Sequence, residues 1–330
     1  MIVLGGENDS MVQVSVIVAT YNPDSNKLRA SLDAIVSQKN INYEVIITDD
    51  GSKLKDFSWL PEYFGLHSVK KYTVLEHPQN MGTLKNLLAG ISKATGEYVF
   101  LTSPGDILFD EMVLKDLYEF AHSEHYELCF GNAIFYSNKD DKLRITRNNS
   151  QPKRPELYYP GSRWAKTNFF GGDWVVGASC FRDRKFALHY FGQLNGLCTY
   201  AEDNPSTAFA LANGIPLCYY DRNVIWYEDG SGISTSNNER WNRILKHEFE
   251  NAFYKLKKQY PKDPLIDIAY INQTCESRIE RIFIKTLKHP VVMLKTAIMR
   301  IIFKTKLTDV RQEDICWLQS ILSGVNGPCR

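Results

Sequence analysis

The strongest constraint on this chain lies in residues 12–102, where apolar stretches of strand character alternate with stretches of helical spacing. VQVSVIVATYN (12–22) is apolar and β-branched almost throughout, the pattern of a strand buried on both faces of a parallel sheet. Asn22-Pro23-Asp24-Ser25 ends it, and Leu28, Leu32, Ile35 and Val36 then recur at helical spacing. YEVIITDD (43–50) and KYTVLEH (71–77) read as strands, TLKNLLAGISKA (83–94) as a helix with Leu84, Leu87, Leu88 and Ile91 on one face, and EYVFLT (97–102) as a fourth strand. This alternation predicts an α/β fold with an open, mostly parallel sheet flanked by helices. Ligands of such sheets bind beyond the carboxyl ends of the strands. The polar clusters fall at those ends: Thr20-Tyr21-Asn22, Asp49 to Ser52, Asn80-Met81-Gly82, and Ser103-Pro104-Gly105-Asp106.

Past residue 125 the pattern is more antiparallel and irregular. ELCFGNAIFYS reads as a strand, the polar stretch NKDDKLRITRNNSQPKRPE as an excursion or flexible loop, and WVVGASCFR, from Trp174, as a strand leading to a helix near 185–191. Glu202 and Asp203 stand ahead of a helix ending at Gly214, and NVIWYEDGSGIS (223–234) closes a first domain placed at 1–238. The region 239–330 reads as a helical extension. Within it, RIFIKTLKHPVVMLKTAIMRIIFKTK (281–306) carries seven Lys or Arg and no Asp or Glu, and Pro290 is expected to separate two helices. Arg281, Lys285 and Lys288 share one helical face while Ile282, Phe283 and Leu287 point elsewhere. Two readings fit: a helix lying in the headgroup region of an anionic membrane, or a helix packed on the first domain with a solvated basic edge.

A formal net charge of +1 gives no global pull toward nucleic acid, and no nucleic-acid module accompanies the basic segment, so no nucleic-acid partner is expected. The cysteines at 129, 180, 198, 218, 275, 316 and 329 form no C-x-x-C pair and read as reduced thiols. MIVLGGENDSMVQ lacks the pattern of a signal peptide, and no apolar run is long enough to span a membrane. The expectation is a cytoplasmic protein, peripheral at the inner face of the cytoplasmic membrane. There is no G-x-S-x-G and no arrangement suggesting a histidine dyad, which removes serine-hydrolase chemistry.

Carboxylates at strand ends can contact a base and ribose, hold a divalent cation of the Mg²⁺ or Mn²⁺ kind, and accept a proton from a hydroxyl. Each also has a plain reading: Asp49-Asp50-Gly51-Ser52 as a strand-ending turn, Asp106 as a helix cap, Glu202 and Asp203 as solvated carboxylates favoured at a helix start.

The order of VSVIVATYNP, ITDDGS, NMG followed by GISKATGEYVFL, an acidic loop and then AED resembles the family 2 glycosyltransferases of GT-A fold, over roughly residues 13–234. That resemblance implies an inverting transfer from a nucleotide-activated sugar, often a UDP-sugar, to an acceptor hydroxyl, assisted by a divalent cation (Mn²⁺ or Mg²⁺). It places Thr20, Tyr21 and Asn22 around the base, with Asp49 on the uracil and Asp50 nearby, and matches Asn80 and Gly82 to an N-x-G turn. Asn86 and Leu87 stand where the family commonly has Ala-Arg. The acidic motif, usually like D-S-D-D, is reduced here to Ser103-Pro104-Gly105-Asp106, leaving Asp106 for the metal. Asp229 stands where a histidine is common, as a second metal contact or a solvated loop residue. Asp203 matches the catalytic base, with Glu202 beside it to orient base or acceptor, and Trp174, Gly177 and Ala178 line the donor and acceptor sugars. The implied acceptor is a saccharide or lipid-linked saccharide in the synthesis of cell-surface polysaccharide such as capsule or O-antigen. The reduced acidic loop leaves a nucleotide-sugar-binding protein without catalysis as the alternative.

Overall fold

The computed structural model describes residues 11–139, 142–147, 152–230, 232 and 238–324. The N-terminal stretch 1–10, part of the polar excursion (140, 141 and 148–151), the end of the closing segment (231 and 233–237) and Cys329 lie outside the described residues.

Strands β1 (Val14–Thr20), β2 (Tyr43–Asp49), β3 (Tyr72–Glu76) and β4 (Tyr98–Thr102) form the parallel half of a nine-stranded sheet, with β1 between β2 and β4. The register sets Thr20 opposite Asp49 and Asp49 opposite Glu76, so the carboxyl ends of three strands finish level. Along β1, Val14, Val16 and Val18 enter one core and Ile17 the other, as the two-residue period of a strand requires. On the first face α1 (Ser25–Val36) contributes Leu28, Leu32 and Ile35. On the second α3 (Thr83–Lys93) contributes Leu84, Leu87 and Ile91, while α2 (Leu60–Leu66) lies between β2 and β3 in the chain.

The other half of the sheet mixes directions. After β5 (Ile107–Leu108) and α4 (Val113–Ser123), β6 (Leu128–Lys139) pairs antiparallel with β7 (Lys142–Arg147) and β8 (Cys180–Asp183), and parallel with β9 (Cys218–Glu228). β8 is the bridge, antiparallel to both β4 and β6. Two expectations are corrected here. Residues 142–147 of the polar excursion form a strand, because Lys142-Leu143-Arg144-Ile145 completes a hairpin on β6. The segment from Trp174 is a strand only from Cys180 onward: the Val176 carbonyl accepts the Ser179 N–H at 3.0 Å and closes a 3₁₀ turn over Gly177–Ser179.

Helices α5 (Ala165–Phe170), α6 (Arg184–Gln193) and α7 (Asp203–Ala212) cover the second face. The expected helical extension follows as α8 (Glu239–Gln259), α9 (Pro264–Thr274), α10 (Arg278–Lys288), α11 (Pro290–Ile302) and α12 (Gln312–Ser323), with Pro290 at the break between two of them. Ala252, Phe253 and Leu256 of α8 join the same core as Leu84 and Leu87, and Leu318 and Ile321 of α12 join the core of β1 and α1.

The end of the sheet away from the strand-end loops is tied by Glu44, only 1% exposed. It accepts the Ser15 hydroxyl at 2.6 Å and the Thr95 N–H at 2.6 Å, and pairs with Lys71 at 3.0 Å. Burial pushes its carboxyl up, but Ser15, Thr95 and Lys71 outweigh burial and hold it below the usual carboxylate range. A depressed folded pKa gives stability that is present above the ordinary glutamate value and lost as pH falls through the folded value. Glu44→Gln is therefore expected to lower stability by about 2 kcal/mol at neutral pH. Denaturant melts at pH 7 and pH 3 check this: the gap to the parent narrows at the lower pH.

Candidate active site

The strand-end loops are built on carboxylates that accept backbone N–H groups. Asp49, fully buried, accepts the Thr20 hydroxyl at 3.0 Å, the Ser52 N–H at 2.9 Å and the Lys55 ammonium at 2.8 Å. Burial raises this carboxyl, and Lys55, Ser52 and Thr20 more than reverse it, so Asp49 is held below the usual range. Asp50 reaches to the third strand's loop and accepts the N–H groups of Met81 at 2.6 Å and Gly82 at 2.9 Å. Asn22, at φ 44°, accepts the N–H groups of Lys53 at 3.0 Å and Leu54 at 3.2 Å. Gly51 at φ 70° has no room for a side chain, since a Cβ there would lie 2.3 Å from the Gln79 carbonyl carbon. Three loops are thus fastened into one floor, from which Tyr21 projects, 55% exposed, and at whose rim Asn80 is exposed. Asn86 turns inward to bond Thr48 of β2, its amide donating to the Thr48 carbonyl at 3.0 Å.

The acid pair is joined to this floor through Thr199. The Leu84 N–H donates to the Thr199 carbonyl at 2.9 Å, and a Cβ on Gly82 would lie 2.1 Å from Thr199 Cγ2. Burial raises the pKa of Tyr200, next in the chain, and the charge of Asp50 adds to it. Glu202 and Asp203 then open α7. A Cβ on Gly177 would lie 2.8 Å from Asp203 Oδ2, and Asn204 accepts the Val175 N–H at 3.2 Å. The structure therefore brings Gly177 against Asp203, with Ala178 in the same 3₁₀ turn and Trp174 nearby in the chain, 41% exposed.

Burial pushes the carboxyls of both Glu202 and Asp203 above their usual range, with mutual repulsion adding to the effect on Glu202. The counterweight is Arg182 on β8, 1% exposed, whose guanidinium pulls both back part of the way. Its bonds to the Gly177 carbonyl are long, 3.4 and 3.5 Å, and its Nε has no partner among the described residues. A buried guanidinium so loosely bonded acts mainly through its field.

A third group surrounds Gly105. At φ 101° it offers its N–H to Ser31 Oγ at 3.0 Å and its carbonyl to the Tyr136 hydroxyl at 2.7 Å. A Cβ there would lie 2.5 Å from Glu228 Oε2, so the Glu228 carboxylate fills the space a side chain would need. Lys27 binds that carboxylate at 2.6 Å. Burial, with the Glu228 charge adding to it, pushes the Asp106 carboxyl up to about 8. Ser103 at the loop's start is exposed. Asp229 is turned to Arg147, 2.7 Å away. Asp229 lies in the turn just past β9, and it is Glu228, the strand's last residue, that meets the loop. Among the described residues no group of three or more His, Cys, Asp or Glu could by itself hold a metal ion.

Sequence reasoning missed Lys27, Lys55, Arg182 and Glu228. Arg182 had a signal, a lone charge in the apolar WVVGASCFR, and Glu228 could have been found from the strand's two-residue period. If Asp203 works as an ionised carboxylate, Arg182→Met raises its pKa further, because a nearby cation favours the charged form. The low-pH limb of the rate profile is then expected to move to higher pH, by about one unit, measured as turnover against pH.

A model described as Glycosyl transferase family 2 matches residues 15–180. Glycosyltransferase GlyG of Streptococcus pneumoniae serotype 4 is 28% identical over 127 residues, 38% of this chain and 41% of that protein. EpsE of Bacillus subtilis (strain 168), itself named only provisionally as a glycosyltransferase, is 25% identical over 173 residues, 52% of this chain and 59% of that one. The chain thus spans about half the length of these two relatives. Among solved structures, the mannosyltransferase PcManGT from Pyrobaculum calidifontis, in complex with GDP-Man and Mn²⁺, superposes with a TM-score of 0.54 at 15% identity, covering 96% of this chain and 86% of that one. S. aureus TarS 1-349 in complex with UDP-GlcNAc gives 0.51 at 16% identity, covering 79% of each chain. These two likenesses bear on the fold, which is the GT-A arrangement of a mixed sheet flanked by helices. With its family model covering half the chain, this protein belongs to glycosyl transferase family 2.

Proposed function

We propose that this enzyme transfers a sugar with inversion from a nucleotide-sugar, in the first instance a UDP-sugar, to an acceptor hydroxyl, with Asp203 as the base. One observation carries this reading: Asp203 packs against Gly177 and within the field of Arg182, at a helix start joined through Thr199 to the loops of Asp49 and Asp50. A carboxylate with a raised pKa suits removal of a proton from an attacking hydroxyl. Glu202 orients that base or the acceptor, and Trp174, Gly177 and Ala178 face the sugars. Thr20, Tyr21, Asn22, Asp49, Asp50, Asn80, Gly82 and Ser103 form the nucleotide side. UDP is tried first alongside GDP because TarS was solved with UDP-GlcNAc and PcManGT with GDP-Man.

A divalent cation would be held beside Gly105 by Asp106, with Glu228, whose charge raises the Asp106 pKa, joining it on release from Lys27. Two carboxylates suffice for Mg²⁺ or Mn²⁺, which take their other ligands from phosphate and water. When bound, the ion would neutralise charge on the donor diphosphate. Asp229 would add to it only after leaving Arg147.

The test is nucleotide release from a panel of UDP-, GDP- and dTDP-sugars, with and without Mn²⁺. Asp203→Asn is expected to reduce turnover by about 10²- to 10⁴-fold while UDP still raises the melting temperature. Full activity in that variant would remove Asp203 from the base role.

The acceptor we propose is a saccharide or lipid-linked saccharide of cell-surface polysaccharide synthesis, met at the inner face of the cytoplasmic membrane. Among the described residues no helix is long and apolar enough to cross a membrane. The support is an inverted helix. On α10, Lys285 is buried and bonds Asn272 Oδ1 at 2.7 Å, whereas Ile279, Phe283 and Leu287 are 83%, 67% and 72% exposed. Val291, Leu294 and Ile301 of α11 extend the exposed apolar surface, with Lys288, Lys295 and Arg300 beside it. Water favours the opposite arrangement, while a bilayer interface favours this one, and the cations suit anionic headgroups. The triple change Phe283→Glu, Leu287→Glu, Leu294→Glu is expected to cut co-sedimentation with phosphatidylglycerol vesicles at least about tenfold, with the UDP thermal shift unchanged. Equal sedimentation of both proteins would contradict the membrane reading.

A further inference from the structure

The helix α8 presents Glu248, Ala252 and Leu256 at four-residue spacing on one face, and all three are buried. A carboxylate in an apolar stripe needs partners, and Glu248 has three. Its Oε1 accepts the Thr199 N–H at 2.9 Å, and its Oε2 accepts the N–H groups of Tyr200 at 2.9 Å and Ala201 at 2.8 Å. Consecutive N–H groups that converge on one point belong to neither a helix nor a strand ladder, and without an anion between them they would be left unpaired. The same peptide is held from its other side, where the Thr199 carbonyl accepts the Leu84 N–H at 2.9 Å. Glu202 and Asp203 follow directly in the chain.

We infer that Glu248 is a positioning residue for the transfer: from a helix outside the matched family segment, it sets the backbone from which Asp203 is presented. The inference rests on the reading of Asp203 as base. Glu248 touches neither sugar nor nucleotide in this account. Its carboxylate makes residues 199–201 a rigid lead-in, so that the Asp203 oxygens keep a constant distance to Gly177 and to the acceptor hydroxyl. A displacement of about 1 Å at a reacting group can reduce the rate about 10²-fold.

The experiment compares full-length Glu248→Gln, Phe253→Leu and Asp203→Asn with the parent, each well below its melting temperature. Gln keeps one acceptor and turns an N–H donor toward the loop's own donors, so it breaks the clasp at nearly constant volume. Phe253→Leu loosens the same buried helix while keeping the three bonds from Glu248 to the loop. For Glu248→Gln the expected result is a kcat lowered at least about 30-fold, with donor KM and UDP affinity within about twofold. Amide exchange should rise at least about tenfold in the peptide spanning 198–204 and stay unchanged in β1 and β2. Phe253→Leu should keep kcat within about threefold. The inference is overturned if Glu248→Gln keeps kcat, if it leaves exchange at 198–204 unchanged, or if Phe253→Leu loses as much activity. Failure of the base reading looks different: Asp203→Asn would then turn over like the parent, whatever Glu248→Gln does.

Discussion

Backbone N–H groups that leave the sheet at its carboxyl end, and cannot reach another strand, are the constraint on which the rest of this structure depends. A buried N–H without a partner costs about 1–3 kcal/mol, and the loops after β1, β2 and β3 and before α7 hold many of them. Asp49, Asp50, Asn22 and Glu248 satisfy them, with each acceptor reaching to a loop other than its own or closing its own turn. Because Asp49, Asp50 and Glu248 accept as buried carboxylates, their bonds are stronger than the neutral, exposed ones of Asn22. The floor formed by these loops is therefore fastened by its own hydrogen bonds, and in the proposed reaction that preorganisation reduces the entropic cost of binding the donor.

Gathering carboxylates at one end of a sheet creates a charge problem, and the way it is solved separates scaffold from chemistry. Lys55 neutralises Asp49, and Lys27 neutralises Glu228. Asp106, Glu202 and Asp203 receive less compensation than burial demands, and their carboxyls are raised. In the proposed reaction these under-compensated groups are the cation ligand and the acid pair that supplies the base. Carboxylates with ample donors hold loops, and carboxylates without them are free to act.

The helices after residue 238 take part in both ends of this arrangement. α8 and α12 complete the two cores, and α8 also supplies Glu248 to the lead-in of the acid pair. α10 turns the other way, burying Lys285 against Asn272 and leaving Phe283 and Leu287 outward. One continuous helical region thus carries a buried acid toward the lead-in of Glu202 and Asp203 and an apolar, basic surface away from it.

The parallel half of the sheet, its helices and the polar clusters at its strand ends were legible because they are local: two-residue and helical periods, and turn residues at strand ends, are written within a few residues of one another. The partners of those clusters were not. Lys55 on Asp49 lies within a short loop, but Glu228 against Gly105, Gly177 against Asp203 and Glu248 on Thr199–Ala201 join elements far apart in the chain. The turn at Gly177–Ser179, which sequence pattern reads as strand, follows from the Val176 carbonyl bonding within the segment while pairing with β4 and β6 begins only at Cys180. Sequence alone determined which segments form the parallel half of the sheet and which polar residues stand at its edge. Tertiary structure decided which of those residues meet a neutralising or donating partner, because burial, field strength and hydrogen-bond satisfaction depend on distances in space that chain spacing does not encode.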